Sequence, residues 1–330
     1  MGETSAISQM AEKVSDDIFS VFKWDKKGPV NINWECVNQE EHGRSSHPSD
    51  VVFSYVEPYE NVRTYINCDL KSYAKKSIGK YSVSNAIMNL SESVTCANLS
   101  SEWQDNYMAS GDNTQIHGML FVYNHDGEYD SDFDSYLKKT KWKDLDLCEG
   151  SRVYVVSPYD VCYLATVATD IKLFLASKKI FNDSDYAYYY PNLERKPFLM
   201  KSSCAPATLE MLLGPIIVVK YKYFDGNNEK NGLTIYYKKT GESRDEFLYL
   251  FDYLFHYQLL NDFTDIEFKL PNSANIAAAS FNHAKEAYVE SLGEDATSAI
   301  KDRLENIKYS SVSTFVNRYS EIEIGMEYDK

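Results

Sequence analysis

Residues 47–71 read HPSDVVFSYVEPYENVRTYINCDLK, and this stretch decides the fold. Two runs rich in β-branched and aromatic residues, Asp50 to Val56 and Val62 to Lys71, flank Glu57-Pro58-Tyr59-Glu60-Asn61. The flanked segment has turn chemistry at hairpin length. A hairpin centred between Tyr59 and Glu60 sets Asp50 opposite Asp69, with Cβ atoms about 5 Å apart. Lys71 lies two residues beyond Asp69 and points to the same face. In this register Val51, Phe53 and Tyr55 share a face with Thr64, Ile66, Cys68 and Leu70, the expected core face. The other face carries Asp50, Val52, Ser54 and Val56 with Arg63, Tyr65, Asn67, Asp69 and Lys71. A one-residue slip would bury the charges and expose the apolar set, so the pattern itself supports the register.

Two carboxylates side by side repel each other unless something neutralises them. A hard divalent cation does so, and Mg²⁺ is typically held by one or two carboxylates plus water and substrate phosphate. A lysine beside the ion can position or deprotonate a water, or stabilise charge on a phosphoryl group. Asp50, Asp69 and Lys71 are therefore the equipment of metal-assisted phosphodiester hydrolysis.

Outward from the hairpin, Ser5 to Phe22 carries apolar residues at helical spacing. Asn31 to Val37 alternates as a strand, and Gln39 to Pro48 reads as a polar loop. Ser82 to about Asn106 reads as one long helix, and Ile116 to Tyr123 and Arg152 to Ser157 as apolar strands. Val161 to Ala176 follows as a helix, and a tyrosine-rich connector spans Asn182 to Pro197. Beyond it come strands at Ile216 to Tyr223, Leu233 to Lys238 and Asp265 to Leu270, with a last strand near the end. Helices are expected at Arg244 to Leu260, Ala274 to Leu292 and Asp295 to Ile307. No internal repeat is visible. The division expected is a first domain over 1–178 and a second over 179–330.

The Pro48-Ser49-Asp50 and Asp69-Leu70-Lys71 motifs resemble those of the PD-(D/E)XK nuclease superfamily, the first relaxed by an inserted serine. The α-β-β-β-α-β order of residues 5 to 123 is similar to that family's core. The resemblance covers about the first half of the chain. It implies an α/β, restriction-endonuclease-like mixed sheet flanked by helices, followed here by an α+β C-terminal region. It also implies that Asp50 and Asp69 bind Mg²⁺ or Mn²⁺ with help from the Leu70 carbonyl, while Lys71 acts on the attacking water. Members often place a further glutamate near the metal, for which Glu12 and Glu35 are the candidates. Gln104-x-x-Tyr107 has the wrong spacing for the Gln-x-x-x-Tyr motif of some exonuclease relatives.

Lys75, Lys76 and Lys80 follow Lys71 without an intervening acid and form a candidate track for substrate phosphate. His47 is the histidine nearest Asp50 and a candidate substrate contact. The acids from Asp126 to Asp134 resemble a calcium loop only loosely and read as a solvated loop. The six cysteines form no Cys-x-x-Cys pair, which speaks against a zinc ribbon or redox motif. They read as packing residues of a reducing compartment.

The 330 residues include 49 acids and 34 bases, for a net charge of −15. Residues 1–80 hold 12 acids and 10 bases, residues 81–170 hold 14 and 5, and residues 171–330 hold 23 and 19. The hairpin's own stretch is thus near neutral, and the acidity follows it. A 14% aromatic content excludes a disordered chain, and no apolar run is long enough to span a membrane. The N-terminus does not read as a signal peptide, so a cytoplasmic protein is expected. The charge argues against tight autonomous DNA binding. The expectation is a metal-dependent nuclease, acting on DNA in preference to RNA, with a homo-oligomer or protein partner supplying affinity. By family analogy it would serve bacterial defence against foreign DNA. The alternatives are a non-catalytic subunit or inhibitor that keeps the fold, and an acidic DNA mimic.

Overall fold

The computed structural model describes residues 12–111, 113–191, 204–293 and 297–314. The described residues up to Ala165 form one compact unit, and those from Thr166 onward form a second. Residues 5–11 of the expected first helix and 192–197 of the expected connector lie outside the described residues.

The first unit opens with a helix over residues 12–19 (α1). It continues through strands β1 (Asp25–Lys27), β2 (Ile32–Glu35), helix α2 (Gln39–His42) and β3 (Ser46–Ser49). Then come β4 (Val51–Val56), β5 (Arg63–Tyr73), α3 (Lys80–Leu99), α4 (Ser101–Tyr107), β6 (Thr114–Asn124) and β7 (Val153–Val156). Five strands form one sheet in the order β1-β4-β5-β6-β7, while β2 and β3, among the described residues, pair only with each other. The β4–β5 hairpin has the register expected from sequence, with Val51 opposite Cys68 and Phe53 opposite Ile66. β5, β6 and β7 run parallel, and β1 and β4 are antiparallel to their neighbours, giving a mixed sheet.

Three sequence expectations need correction. The strand at 31–37 does not enter the main sheet: its place is taken by Asp25–Lys27, a short edge strand without apolar alternation. Such a strand is held by main-chain pairing to β4 and leaves no side-chain signature. The stretch 39–48 is not a plain loop, because it contains α2 and β3, with His47 and Ser49 fully buried. The helix expected over 82–106 breaks at Ser100, whose hydroxyl accepts the N–H of Trp103 at 3.2 Å and caps α4.

Both faces of the hairpin are covered. On one face Phe19, Trp24, Phe53 and Tyr55 form a ring cluster, with Phe19 stacked on Trp24 at 4.5 Å. On the other, Val83, Ile87, Leu90 and Val94 of α3 recur at helical spacing and pack on Val52, Tyr65, Ile116, Leu120 and Val122. The face expected to be polar is therefore core for most of its length. This fits a sheet whose parallel strands are buried on both sides. Ser54 and Asn67 are buried polar exceptions on this face, and at Asp69 and Lys71 it opens to partly exposed charges.

The second unit carries β8 (Tyr186–Tyr188), β9 (Ile216–Asp225), β10 (Asn228–Tyr237), β11 (Asp265–Leu270) and β12 (Lys308–Ser311). They form a sheet in the order β8-β9-β10-β11-β12. The pairings run antiparallel, antiparallel, parallel, parallel, the same succession as in the first unit. A helix, Arg244–His256, joins β10 to β11 as α3 joins β5 to β6. Phe247, Leu250, Phe251 and Leu254 of that helix pack on Leu233, Ile235 and Phe268. The tyrosines at 186, 188, 189 and 190 are buried, so this stretch contributes an edge strand and core.

Candidate active site

The hairpin register brings Asp50 and Asp69 together at the ends of β4 and β5. Asp50 sits at the bend between β3 and β4, and its main-chain carbonyl accepts the N–H of Asn31 at 2.8 Å. Its Oδ2 accepts the N–H of Leu70 at 2.6 Å. Lys71 Nζ lies 2.5 Å from Asp69 Oδ1. Burial, and then the charge of Asp69, push the Asp50 carboxyl up to about 6, against the opposing effects of the Leu70 N–H and Lys71. Burial also works against the Lys71 charge, but the ion pair with Asp69 and the nearby Asp50 more than offset it, so its pKa is raised. The three groups thus form a partly buried cluster in which the Asp50 carboxyl is under-compensated and the lysine is firmly an ammonium.

The serine inserted in the motif is structural. Ser49 Oγ accepts the indole N–H of Trp34 at 2.9 Å and that of Trp103 at 3.2 Å. It donates to Asn67 Oδ1 at 2.8 Å, and Asn67 in turn donates to Ser93 on α3 at 3.0 Å. One hydroxyl, with all its hydrogen-bonding capacity used, therefore ties β3, β2, β5 and α4 together immediately beside Asp50.

The remaining candidates are placed as follows. Glu12 on α1 pairs with Lys26 at 2.8 Å and accepts from the Asn31 amide at 3.3 Å. Because Asn31 also donates to the Asp50 carbonyl, one residue links Glu12 to the Asp50 segment. Glu35 is exposed at the end of β2, where its carboxylate accepts from Gln39 at 3.0 Å. Neither glutamate gathers with Asp50 and Asp69 into a group of three ligands among the described residues. Lys75 is tied to Asp130 at 2.8 Å, and its N–H donates to Asp126 at 2.9 Å. Lys76 and Lys80 are exposed.

Residues 1–160 match the family model described as the GAPS4 protein PD-(D/E)XK nuclease domain. The N-terminal half of this chain is a PD-(D/E)XK domain. No curated protein matches the chain. Within the PD-(D/E)XK domain, the matched residues contain the whole β1-β4-β5-β6-β7 sheet and the Asp50, Asp69 and Lys71 cluster. The second unit repeats the strand order without the acids. At the matching end of its β9–β10 hairpin, Pro215 faces Lys238, whose N–H donates to the Pro215 carbonyl at 2.9 Å.

The PD-(D/E)XK domain also contains a cluster that the search for Cys-x-x-Cys pairs passes over. His47 is fully buried, in place of the loop position expected to meet substrate, and sits with Cys36, His42 and Cys96. Burial, then the charges of Arg44 and His42, hold its imidazole down to about 4. The legible signal was Cys36-x5-His42-x4-His47, a spacing of ligand type.

Proposed function

We propose that the chain is a divalent-metal-dependent nuclease that hydrolyses phosphodiester bonds of DNA, with Asp50, Asp69 and Lys71 as its catalytic residues. The observation that carries this reading is the juxtaposition of two partly buried carboxyls with a lysine at the end of one hairpin. The donor set suits Mg²⁺ or Mn²⁺: hard oxygen ligands, and a carboxyl raised first by burial and then by its neighbour's charge, which a cation would oppose. Asp50 and Asp69 would hold the ion, with the Leu70 carbonyl as an added oxygen donor. The bound ion supplies charge neutralisation at the phosphate and acidifies water. Lys71 enters as an ammonium, held so by Asp69, and contributes positive charge that orients water and the phosphoryl oxygens. Lys76 and Lys80, exposed just beyond, extend that charge along a substrate backbone.

The region beyond the nuclease domain, assigned here to 179–330, serves as an accessory surface for self-association or a partner. Support comes from the missing acid pair: the second unit repeats the strand order without the metal-holding residues. By family analogy the reading extends to bacterial defence against foreign DNA.

The test is cleavage of plasmid DNA with Mg²⁺ or Mn²⁺ by the full chain, beside Asp69→Ala and Lys71→Ala. Cleavage by the parent alone supports the reading. Equal cleavage by all three, or none with either metal, overturns it in favour of a non-catalytic subunit. That second reading draws on the net charge of residues 81–170, where 14 acids face 5 bases.

A further inference from the structure

Just upstream of Asp50 the chain assembles four soft and borderline ligands. Cys36 follows β2, His42 ends α2, His47 lies in β3, and Cys96 occupies the last turn of α3. Cys36, His47 and Cys96 are 1%, 0% and 0% exposed, and the His42 side chain is 2% exposed. One ligand atom from each lies within 4.8 Å of all the others. Among the described residues it is the only group of three or more histidine, cysteine or acidic side chains so gathered.

The spacing is that of a tetrahedral site. With Zn–S near 2.3 Å and Zn–N near 2.0 Å, tetrahedral geometry separates sulfur from sulfur by about 3.8 Å and sulfur from nitrogen by about 3.5 Å. Cys36 Sγ lies 3.7 Å from Cys96 Sγ. Both sulfurs lie 3.4 Å from His42 Nδ1. The other nitrogen of His42, Nε2, lies 3.1 Å from Asp146 Oδ2. A carboxylate behind a ligating imidazole fixes its tautomer and ring orientation, a recurrent feature of zinc centres.

An independent observation comes from His47. Its ring is completely buried, yet neither Nδ1 nor Nε2 has a hydrogen-bond partner among the described residues. A buried imidazole without partners is costly, and a cation among these side chains would satisfy it.

We propose that Cys36, His42, His47 and Cys96 bind one Zn²⁺ in a closed structural site. Each thiol gives up its proton to solvent as the ion enters, so the two thiolates balance the dication and the buried centre is neutral. Four protein ligands leave no open position, which separates this site from the hydrolytic chemistry assigned to Asp50 and Asp69. Three ligands come from the β2–α2–β3 segment and the fourth from α3. The ion therefore staples that segment to the helix, three residues before Asp50.

The test uses the full chain, produced with added zinc and purified under reducing conditions without chelator. Metal analysis should find about one zinc per chain. Cys96→Ser and His47→Ala should lose it, while Asp50→Ala and Asp69→Ala should keep it. Because Cys96 and His47 are buried and their replacement disturbs packing as well as ligation, the parent protein is also loaded with Co²⁺ alone. It should show the intense visible bands of a tetrahedral site and a thiolate-to-cobalt charge-transfer band. Four results would overturn the proposal: a zinc-free parent after loading, a six-coordinate cobalt spectrum without the thiolate band, full zinc retention by Cys96→Ser, or zinc loss in Asp50→Ala or Asp69→Ala.

Discussion

The Asp50 carboxylate accepts the main-chain N–H of Leu70 at 2.6 Å, reaching across the hairpin to the residue between Asp69 and Lys71. This bond fixes the first acid of the cluster against the backbone of the strand that carries the second acid and the lysine. Its strand position thus determines where Asp50 can present its other oxygen.

Replacing Asp50 by Asn keeps an acceptor for Leu70 and removes a charge that burial and Asp69 disfavour. Asp50→Asn is expected to abolish metal-dependent cleavage, by on the order of 100-fold or more, while raising the unfolding midpoint of the metal-free chain. Plasmid cleavage and urea unfolding, read side by side, check both halves. A fall in both would show that Asp50 is chiefly structural.

Ser49→Ala leaves the indole N–H groups of Trp34 and Trp103 and the Asn67 carbonyl without their buried partner. The expected cost is about 2 kcal/mol of stability. Chemical denaturation of the full chain, followed by tryptophan fluorescence, measures it. An unchanged midpoint would mean that water replaces the hydroxyl.

Gly118 on β6 lies directly beneath Leu90 and Val94 of α3. A Cβ there would lie 2.8 Å from Val94 Cγ2 and 2.9 Å from Leu90 Cγ. Gly118→Ala should cost about 1–3 kcal/mol through overpacking. Pairing it with Leu90→Ala should recover part of that loss, which a double-mutant comparison would reveal.

In the second unit Asp265 meets Lys178 and Lys308, each at 2.9 Å. Burial pushes its carboxyl up, but the two lysines outweigh that and hold it below the ordinary range of an aspartate. A carboxyl depressed in the folded state contributes stability above its unfolded pKa and loses it as pH falls through the folded value. Asp265→Asn should therefore lower stability by about 1 kcal/mol at neutral pH, since Lys308 is largely exposed and the pair is screened. The difference should shrink as the pH drops below about 4. Thermal melts across that range would show a constant difference if the ion pairs contribute nothing.

The sequence alone determined the β4–β5 hairpin. Its turn segment, Glu57 to Asn61 between two strand-like runs, sets the register, and that register places Asp50 opposite Asp69 and Lys71 beside it. Alternation alone could not have set it, because both faces of the hairpin are buried. The apolar spacing of α3 and of Arg244–His256 was equally legible, because amphipathic periodicity is a local property. Tertiary structure decided the rest. β1 enters the sheet by main-chain pairing that its charged side chains do not encode. The second unit repeats the strand succession of the first with no visible sequence repeat, since strand order is set by hydrogen bonding between distant segments. Cys96 stands far along the chain from Cys36, His42 and His47, and only the placement of the last turn of α3 beside Cys36 and His42 brings it within ligand distance. Cys36, His42 and His47 leave a spacing to read, but a ligand remote in sequence leaves none, so the complete cluster becomes visible only once the elements are packed.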